Sequence, residues 1–428
     1  MTRRLLRAPA LLAVLLATIA GACSERLDTA DSCPVLCPGQ QLDIIDTVLD
    51  PGIALDTTLD GFPLIGLETP LLLASRGDTL DVRTIIRFDS LTRLWTPTGD
   101  TARPVTFVDS ATLQVRLFKS GVKVPNRFYV DAYDVGDTTL VDSLPANLLP
   151  FFTAGRLLGS RQVDSATFLD SSTISIPLDT ARLREVVTTG AVLRIGLQVR
   201  STESAMFYAT TSDDASNGPR LRYRVSPDTA VAATLVRPAS NTPRTPVNVN
   251  GDYLDYLLVA RGRDPRAATR FAVGGLPTVR SYLRFNIPVW LTDSVAVLRA
   301  QLELVQDPVR GLDDDDSVTV RTQLVLAGHA MTDLNRAARL LAPPGYFVGD
   351  SIRRAPGDSG IVRVEINALF RAWRTNAGLP NIPQALVFRS DLEGVDGAGL
   401  RFFGLGAAPA LRPRIRVSYV PTIRFGQP

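Results

Sequence analysis

The chain has a single histidine, His329, among 428 residues. Ser-His-Asp triads, Cys-His pairs and most zinc centres need imidazole at chosen places, so a lone histidine removes most of them at once. Cysteine is nearly as scarce: Cys23, Cys33 and Cys37, all close to the N-terminus. Lysine is reduced to Lys119 and Lys123 although Lys and Arg together number 46, so the basic side is almost entirely arginine. An arginine-rich genome accounts for that as readily as a binding role does. Against 43 acidic residues the net charge is only +3, which gives no reason to expect a nucleic-acid surface. Long amphipathic helices are missing, as are Gly-x-Ser-x-Gly, phosphate-loop and His-Glu-x-x-His motifs. The reading is therefore non-enzymatic. Its weaker alternative is a divergent polysaccharide lyase or hydrolase using Arg, Tyr and carboxylates, with Glu365 and Asp391 as one nominal pair.

What is present begins with an address. Residues 1–22 carry Arg3, Arg4 and Arg7, then an apolar run from Ala8 to Ile19, then small residues. That is a secretion signal, and too short to span a bilayer comfortably. Its exit, Ala20-Gly21-Ala22-Cys23, resembles the bacterial lipobox. The resemblance implies cleavage before Cys23 and acylation of that residue, hence a membrane-anchored envelope protein. Ser24 in place of Asp favours, by the same resemblance, the outer membrane. Residues 23–42 read as a tether. Cys33 and Cys37 lie within it, and in an oxidising compartment they are expected to form a small local disulfide.

Beyond the tether, short alternating segments punctuated by turn residues spell an all-β protein. Arg83-Thr-Ile-Ile-Arg-Phe88 is echoed by Arg280-Ser-Tyr-Leu-Arg-Phe285. Each puts apolar residues on one face of a strand and arginine on the other. Four further anchors, one before this strand and three after it, come in the same order in both copies. Leu72–Asp78 matches Leu257–Gly262, with about a dozen extra residues near Ala267–Thr278 in the second copy, and Ala111–Val115 matches Ala300–Leu304. Leu197–Ser201 matches Leu386–Ser390, and Pro219–Val225 matches Pro413–Tyr419. Five ordered matches argue duplication. We therefore expect two tandem antiparallel β-sandwich domains, jelly-roll-like with short helical inserts, at 43–226 and 227–424. Helical segments are expected at Asp179–Val187, Met331–Leu341 and Asn367–Thr375, with Trp373 plugging one end of its sandwich.

The order of these features in the second copy resembles the DNRLRE-type modules, relatives of carbohydrate-binding jelly rolls on bacterial secreted proteins. It rests on Arg280-Ser-Tyr-Leu-Arg-Phe285, Ala300-Gln-Leu302, Trp373 and Pro413-Arg-Ile-Arg-Val417. The first copy has no tryptophan in its helix. The resemblance implies a jelly-roll-like sandwich that binds carbohydrate.

Candidate sites are few. Trp95 and Trp290 each follow the Arg-Phe strand of their own copy. They are either sugar-stacking faces or buried caps where the strand leaves the sheet, the cap being the plainer reading. Asp313, Asp314, Asp315 and Asp316 can offer oxygens to calcium, the only cofactor suggested. Lacking EF-hand spacing, they read first as a solvated hairpin tip. Arg76-Gly-Asp78 spells an adhesion tripeptide, but a turn after a strand explains it. The functional expectation is a non-catalytic, lipid-anchored envelope protein recognising polysaccharide or another surface polymer. The alternative is a structural or assembly lipoprotein that binds another envelope protein.

Overall fold

The computed structural model describes residues 44–421 except 51, 64–65, 67, 90, 98–99, 120–123, 137–144, 227–230, 239–254, 263–264, 310–316, 326–350 and 374–383. Cys23, Cys33, Cys37, the four aspartates 313–316, His329 and the helix expected at 331–341 lie outside the described residues.

The chain opens with β1 (Ile45–Leu49), β2 (Ile53–Phe62), β3 (Leu71–Arg76) and β4 (Leu80–Phe88). Short pieces β5 (Leu94–Trp95) and β6 (Arg103–Pro104) precede β7 (Ser110–Lys119), β8 (Arg127–Asp134), β9 (Leu157–Asp164) and β10 (Ser171–Pro177). Helix α1 (Thr180–Thr189) leads to β11 (Leu193–Arg200), β12 (Ala205–Ala209), β13 (Arg220–Arg224), β14 (Thr234–Val236) and β15 (Asp255–Arg261). Then come β16 (Arg270–Gly274), β17 (Thr278–Phe285), α2 (Val289–Asp293), β18 (Val295–Gln306) and β19 (Val318–Leu324). The last elements are β20 (Ile352–Arg354), β21 (Gly360–Glu365), α3 (Asn367–Ala372), β22 (Ala385–Ser390), β23 (Gly399–Phe403) and β24 (Arg414–Pro421).

All-β architecture is what the sequence pattern demanded, because alternate residues of these strands feed two packed cores. On β7, Leu113, Val115 and Leu117 point into the first core, and on β13 Leu221 and Tyr223 join them. Leu283 and Phe285 of β17, Leu302 and Leu304 of β18, and Ile415 and Val417 of β24 fill the second. Helix α1 starts where the Asp179 carboxylate accepts the Ala181 N–H at 2.9 Å and ends at Gly190, whose φ of 70° only glycine takes cheaply. It buries Leu183, Val186 and Val187. At the other helix Trp373 is buried against Phe285 and Phe370, closing the second core as expected.

The division of the chain differs from a simple tandem. β3, β4 and β7 to β15 form one antiparallel system, whereas β1, β2 and β16 to β24 form the other. β1 pairs with β24 and β2 with β17, while β14 pairs with β13 and β15 with β4. The boundary expected at 226/227 is thus crossed in both directions. One continuous domain, from β3 to β15, is inserted into a discontinuous host made of β1–β2 and β16–β24.

Two sequence anchors shift accordingly. Leu257–Gly262 lies along β4 just as β2 lies along β17, so its counterpart is β2 and not Leu72–Asp78. The true partner of β3 is β16, each running back to pair with the next strand, so the supposed extra residues contain a strand. Asp56 and Asp255 confirm the correspondence. They sit opposite Leu283 and Ile86, and accept the N–H of Leu405 (2.8 Å) and Ser212 (2.7 Å) respectively, each just beyond an equivalent strand. The β11–β22 match is two residues out of register: Ile195 and Leu386 occupy the same place beside β4 and β17. A slip of two keeps every side chain on its face, which is why the pattern hid it. The β7–β18 and β13–β24 anchors pair as read, Ala111 with Tyr223 and Ala300 with Val417.

Candidate functional site

The two tryptophans, similarly placed in sequence, part company in space. Trp95 is half-buried and packs on the first core, in the two-residue ladder with Arg103–Pro104, which is the cap reading. Trp290 sits in the single turn α2, which turns Leu291 into the second core and leaves the indole outside. Its exposure is 44%, so the cap reading does not describe it. Tyr419 of β24 braces it edge to face at 5.4 Å between ring centres. Edge-to-face pairs of this kind hold an aromatic face in one orientation. Beside the pair lies a cleft of about 150 Å³ lined by Thr292, Val295, Val297, Asn367, Phe370 and Arg371. Val289 and Leu298 add exposed apolar surface around it. The result is an upright aromatic face next to a small hollow edged with amide, hydroxyl and guanidinium groups. That combination suits a ring with apolar CH faces and a hydroxyl rim.

The remaining nominees have structural occupations. Glu365 is paired with Arg299 (3.5 Å) and Asp391 with Arg321, so each carboxylate of the nominal acid pair is held by its own arginine. Arg76 is buried, and Gly77 takes a φ of 50° in the β3–β4 turn. Arg261 of β15 donates to the Gly77 carbonyl at 2.6 Å, so the adhesion tripeptide is a strand turn held by a neighbouring strand. A second, more open hollow of about 470 Å³ lies between β2 and residues 266–271. Its charges are already used: Asp56 holds the Leu405 N–H, and Arg270 holds Asp307 at 2.9 Å.

Two ion-pair centres went unnoticed in the sequence. On the outer face of β18, Glu303 receives Arg363 at 3.1 Å, Arg414 at 2.9 Å and Arg416 at 3.4 Å. Burial pushes its carboxyl up, but the hydrogen bonds from Arg363 and Arg414 and the charge of Arg416 outweigh that and leave it below the usual glutamate range. On β17, Arg280 grips Glu393 with two bonds of 2.6 Å and lies over the Phe62 ring at 4.0 Å. Burial pulls the Arg280 guanidinium down, and the bonds to Glu393 more than restore it. Neither glutamate carried a sequence signal, because the Glu303 partners on β21 and β24 and the Glu393 partner on β17 are recognisable only once the sheet is assembled. Among the described residues no group of three or more His, Cys, Asp or Glu side chains is placed to hold a metal ion.

No family model matches the chain. No curated protein matches it either. Among solved structures, one likeness is to the M60 catalytic domain with the CBM51-1 and CBM51-2 domains of Clostridium perfringens ZmpB. It has 9% identity and a TM-score of 0.16, and covers 85% of this chain but only 39% of that one. Another is to infectious bursal disease virus, Gx strain, at 10% identity and a TM-score of 0.12, covering 88% of this chain and 76% of that one. At these scores neither likeness carries an argument.

Proposed function

We propose that this chain is a non-catalytic, lipid-anchored cell-envelope protein that recognises polysaccharide through the Trp290 face of the host domain. The observation that carries the reading is the exposed indole held edge to face by Tyr419 beside a polar-rimmed cleft. Trp290 stands outside a core that already has Trp373 as its plug, and its ring packs on Tyr419 while leaving 44% of the residue exposed. Aromatic faces stack on the CH face of a pyranose, while Arg371 offers guanidinium donors to ring hydroxyls and Asn367, whose amide nitrogen donates to the Leu298 carbonyl at 3.1 Å, offers its amide oxygen. The resemblance of Arg280–Phe285 and Pro413–Val417 to carbohydrate-binding modules points the same way.

Affinity electrophoresis of the full chain through neutral and charged polysaccharides tests this. Trp290→Ala is expected to weaken retention about thirtyfold, the usual scale for losing an aromatic anchor, with the thermal midpoint unchanged. Equal retention of variant and parent would remove Trp290 from the site. A second reading has its own observation: β1 ends one sheet path with Ile45 and Val48 exposed. An open edge accepts an added strand, as an assembly lipoprotein would require. Capture of one defined envelope protein, abolished by Val48→Lys while no glycan is retained, would favour it.

A further inference from the structure

The insert domain has an outer sheet face unlike its counterpart in the host. On β7 the outward residues are Thr112, Gln114, Arg116 and Phe118, and on β13 they are Arg220, Arg222 and Arg224. Leu235 of β14 lies opposite Arg222 and is 48% exposed, and Arg237 follows on the same alternation. β10 contributes only Ser171, Thr173, Ser175 and Pro177. Among the described residues of these four strands, no Asp or Glu occupies an outward position.

The host shows what a self-contained version looks like. Arg414 stands opposite Glu303, and Arg220 stands opposite Gln114, so an amide replaces the carboxylate at the matching place. In the host three guanidinium groups are drawn onto that one buried glutamate. In the insert, Arg116 donates to the Asn217 side-chain oxygen and to the Ser171 hydroxyl at 3.1 Å, and Arg220 to the Ser216 carbonyl. Neutral acceptors satisfy the donors without cancelling the charge. On the rim the Asp214 carboxylate faces Arg116 and offsets part of its charge; its Oδ1 accepts the N–H groups of Ser216 and Asn217, both at 2.9 Å, and its Oδ2 the Asn217 side-chain amide at 3.3 Å.

We propose that this face docks on an anionic membrane surface, its arginines on lipid phosphates and Leu235 in the headgroup layer. Three features select a plane over a single strand of polymer. The cations spread in two dimensions, over three neighbouring strands about 4.8 Å apart and over about 14 Å along β13. The side chains between them are uncharged, mostly small hydroxyls on β10 with Thr112, Gln114 and Phe118 on β7, so no opposing charge stands between the arginines and a planar surface. An exposed leucine ringed by arginines is how interfacial surfaces are made, with the apolar group entering the boundary and the cations beside phosphate. Arginine also suits phosphate, because its planar fork bonds two oxygens together. The site is separate from Trp290 and stands whether or not the polysaccharide reading holds.

The test is co-sedimentation of the full chain carrying Cys23→Ser, so that no acyl chain contributes, with phosphatidylcholine vesicles with or without phosphatidylglycerol. Binding is expected only with phosphatidylglycerol, and it should fall as added salt shortens the screening length. Arg222→Gln with Arg237→Gln is expected to lower the partition coefficient about 25-fold, each basic residue at such a surface being worth about fivefold. Gln114→Glu removes no cation. It should also weaken binding, because it restores the host's carboxylate, and its thermal midpoint should not fall. Equal binding to both vesicle types, or wild-type binding by the two altered chains, would overturn the proposal. So would retention on soluble polygalacturonate without vesicle binding, which would give the face to an acidic polymer.

Discussion

Glu303 shows how one residue sets the character of a whole face. Its side chain is 2% exposed, while the three arginines around it are each about half in water. Hydrogen bonds to an ionised carboxylate are worth more than neutral ones, so losing them costs about 2 kcal/mol even where the arginines can turn to solvent. Glu303→Gln should therefore lower the urea midpoint near neutral pH. The pH dependence has a definite sign. With its folded-state pKa held below the unfolded one, Glu303 contributes fully above the unfolded glutamate value, about 4.3. That contribution is lost as pH falls through the lower, folded value. The gap between parent and Glu303→Gln is then expected to close as urea melts are repeated at progressively more acid pH below that value. A gap of constant size throughout would mean the carboxylate is not held by charge.

At the scale of one element, β17 was the most legible stretch of the chain and still kept something back. Period-two alternation correctly assigns Leu283 and Phe285 to the core and Arg280, Tyr282 and Arg284 to the other face. It does not show that this other face is also covered: Arg280 and Tyr282 are both buried, Arg280 under the Phe62 ring and against Glu393. Alternation reports which side a residue faces, not what lies on that side. Removing one member of a buried pair strands the other charge, so Glu393→Gln alone should cost about 3–5 kcal/mol in chemical unfolding. The joint change Arg280→Met with Glu393→Met leaves no orphan charge and is expected to recover most of that loss. A joint variant as damaged as the single one would mean that the pair's geometry, beyond its charge balance, holds the loop after β22. The two short helices were legible for a simpler reason, since cap, stop and buried spacing are all local: Asp179 and Gly190 bracket α1, and Leu369, Phe370 and Trp373 mark α3. Trp290 was singled out by its place after the Arg-Phe strand, but its exposure depends on a single turn that a propensity argument does not orient.

For the whole molecule, the duplication that made the fold readable also concealed its wiring. β4 and β17 carry the same pattern, so a strand suited to the free edge of one suits the other, and nothing local decides between them. β2 could have joined β4 and β15 could have joined β17; each does the reverse. One trace was visible, the Leu55-Asp56 and Leu254-Asp255 dipeptides that precede matching positions, but two residues among many Leu-Asp pairs do not stand out. The consequence is physical. Residues 66–262 contain every strand of the insert's sheet, whereas 43–226 lacks β14 and β15, and 227–424 lacks β1 and β2. Fragments cut at the apparent repeat boundary leave long edges of β4 and β17 unpaired, together with the apolar residues that β15 and β2 cover there, which invites aggregation. The fragment 66–262 is expected to be soluble and to unfold cooperatively. Its stability should fall about 2–3 kcal/mol short of the insert in the full chain, because Leu276 of the host reaches into the insert's core and would be lost. Amide exchange can check the pairing directly: protection along β4 should persist in 66–262 and vanish from its free edge in 43–226. If 43–226 and 227–424 each melt in one sharp transition and 66–262 precipitates, the strands pair within their own repeats after all.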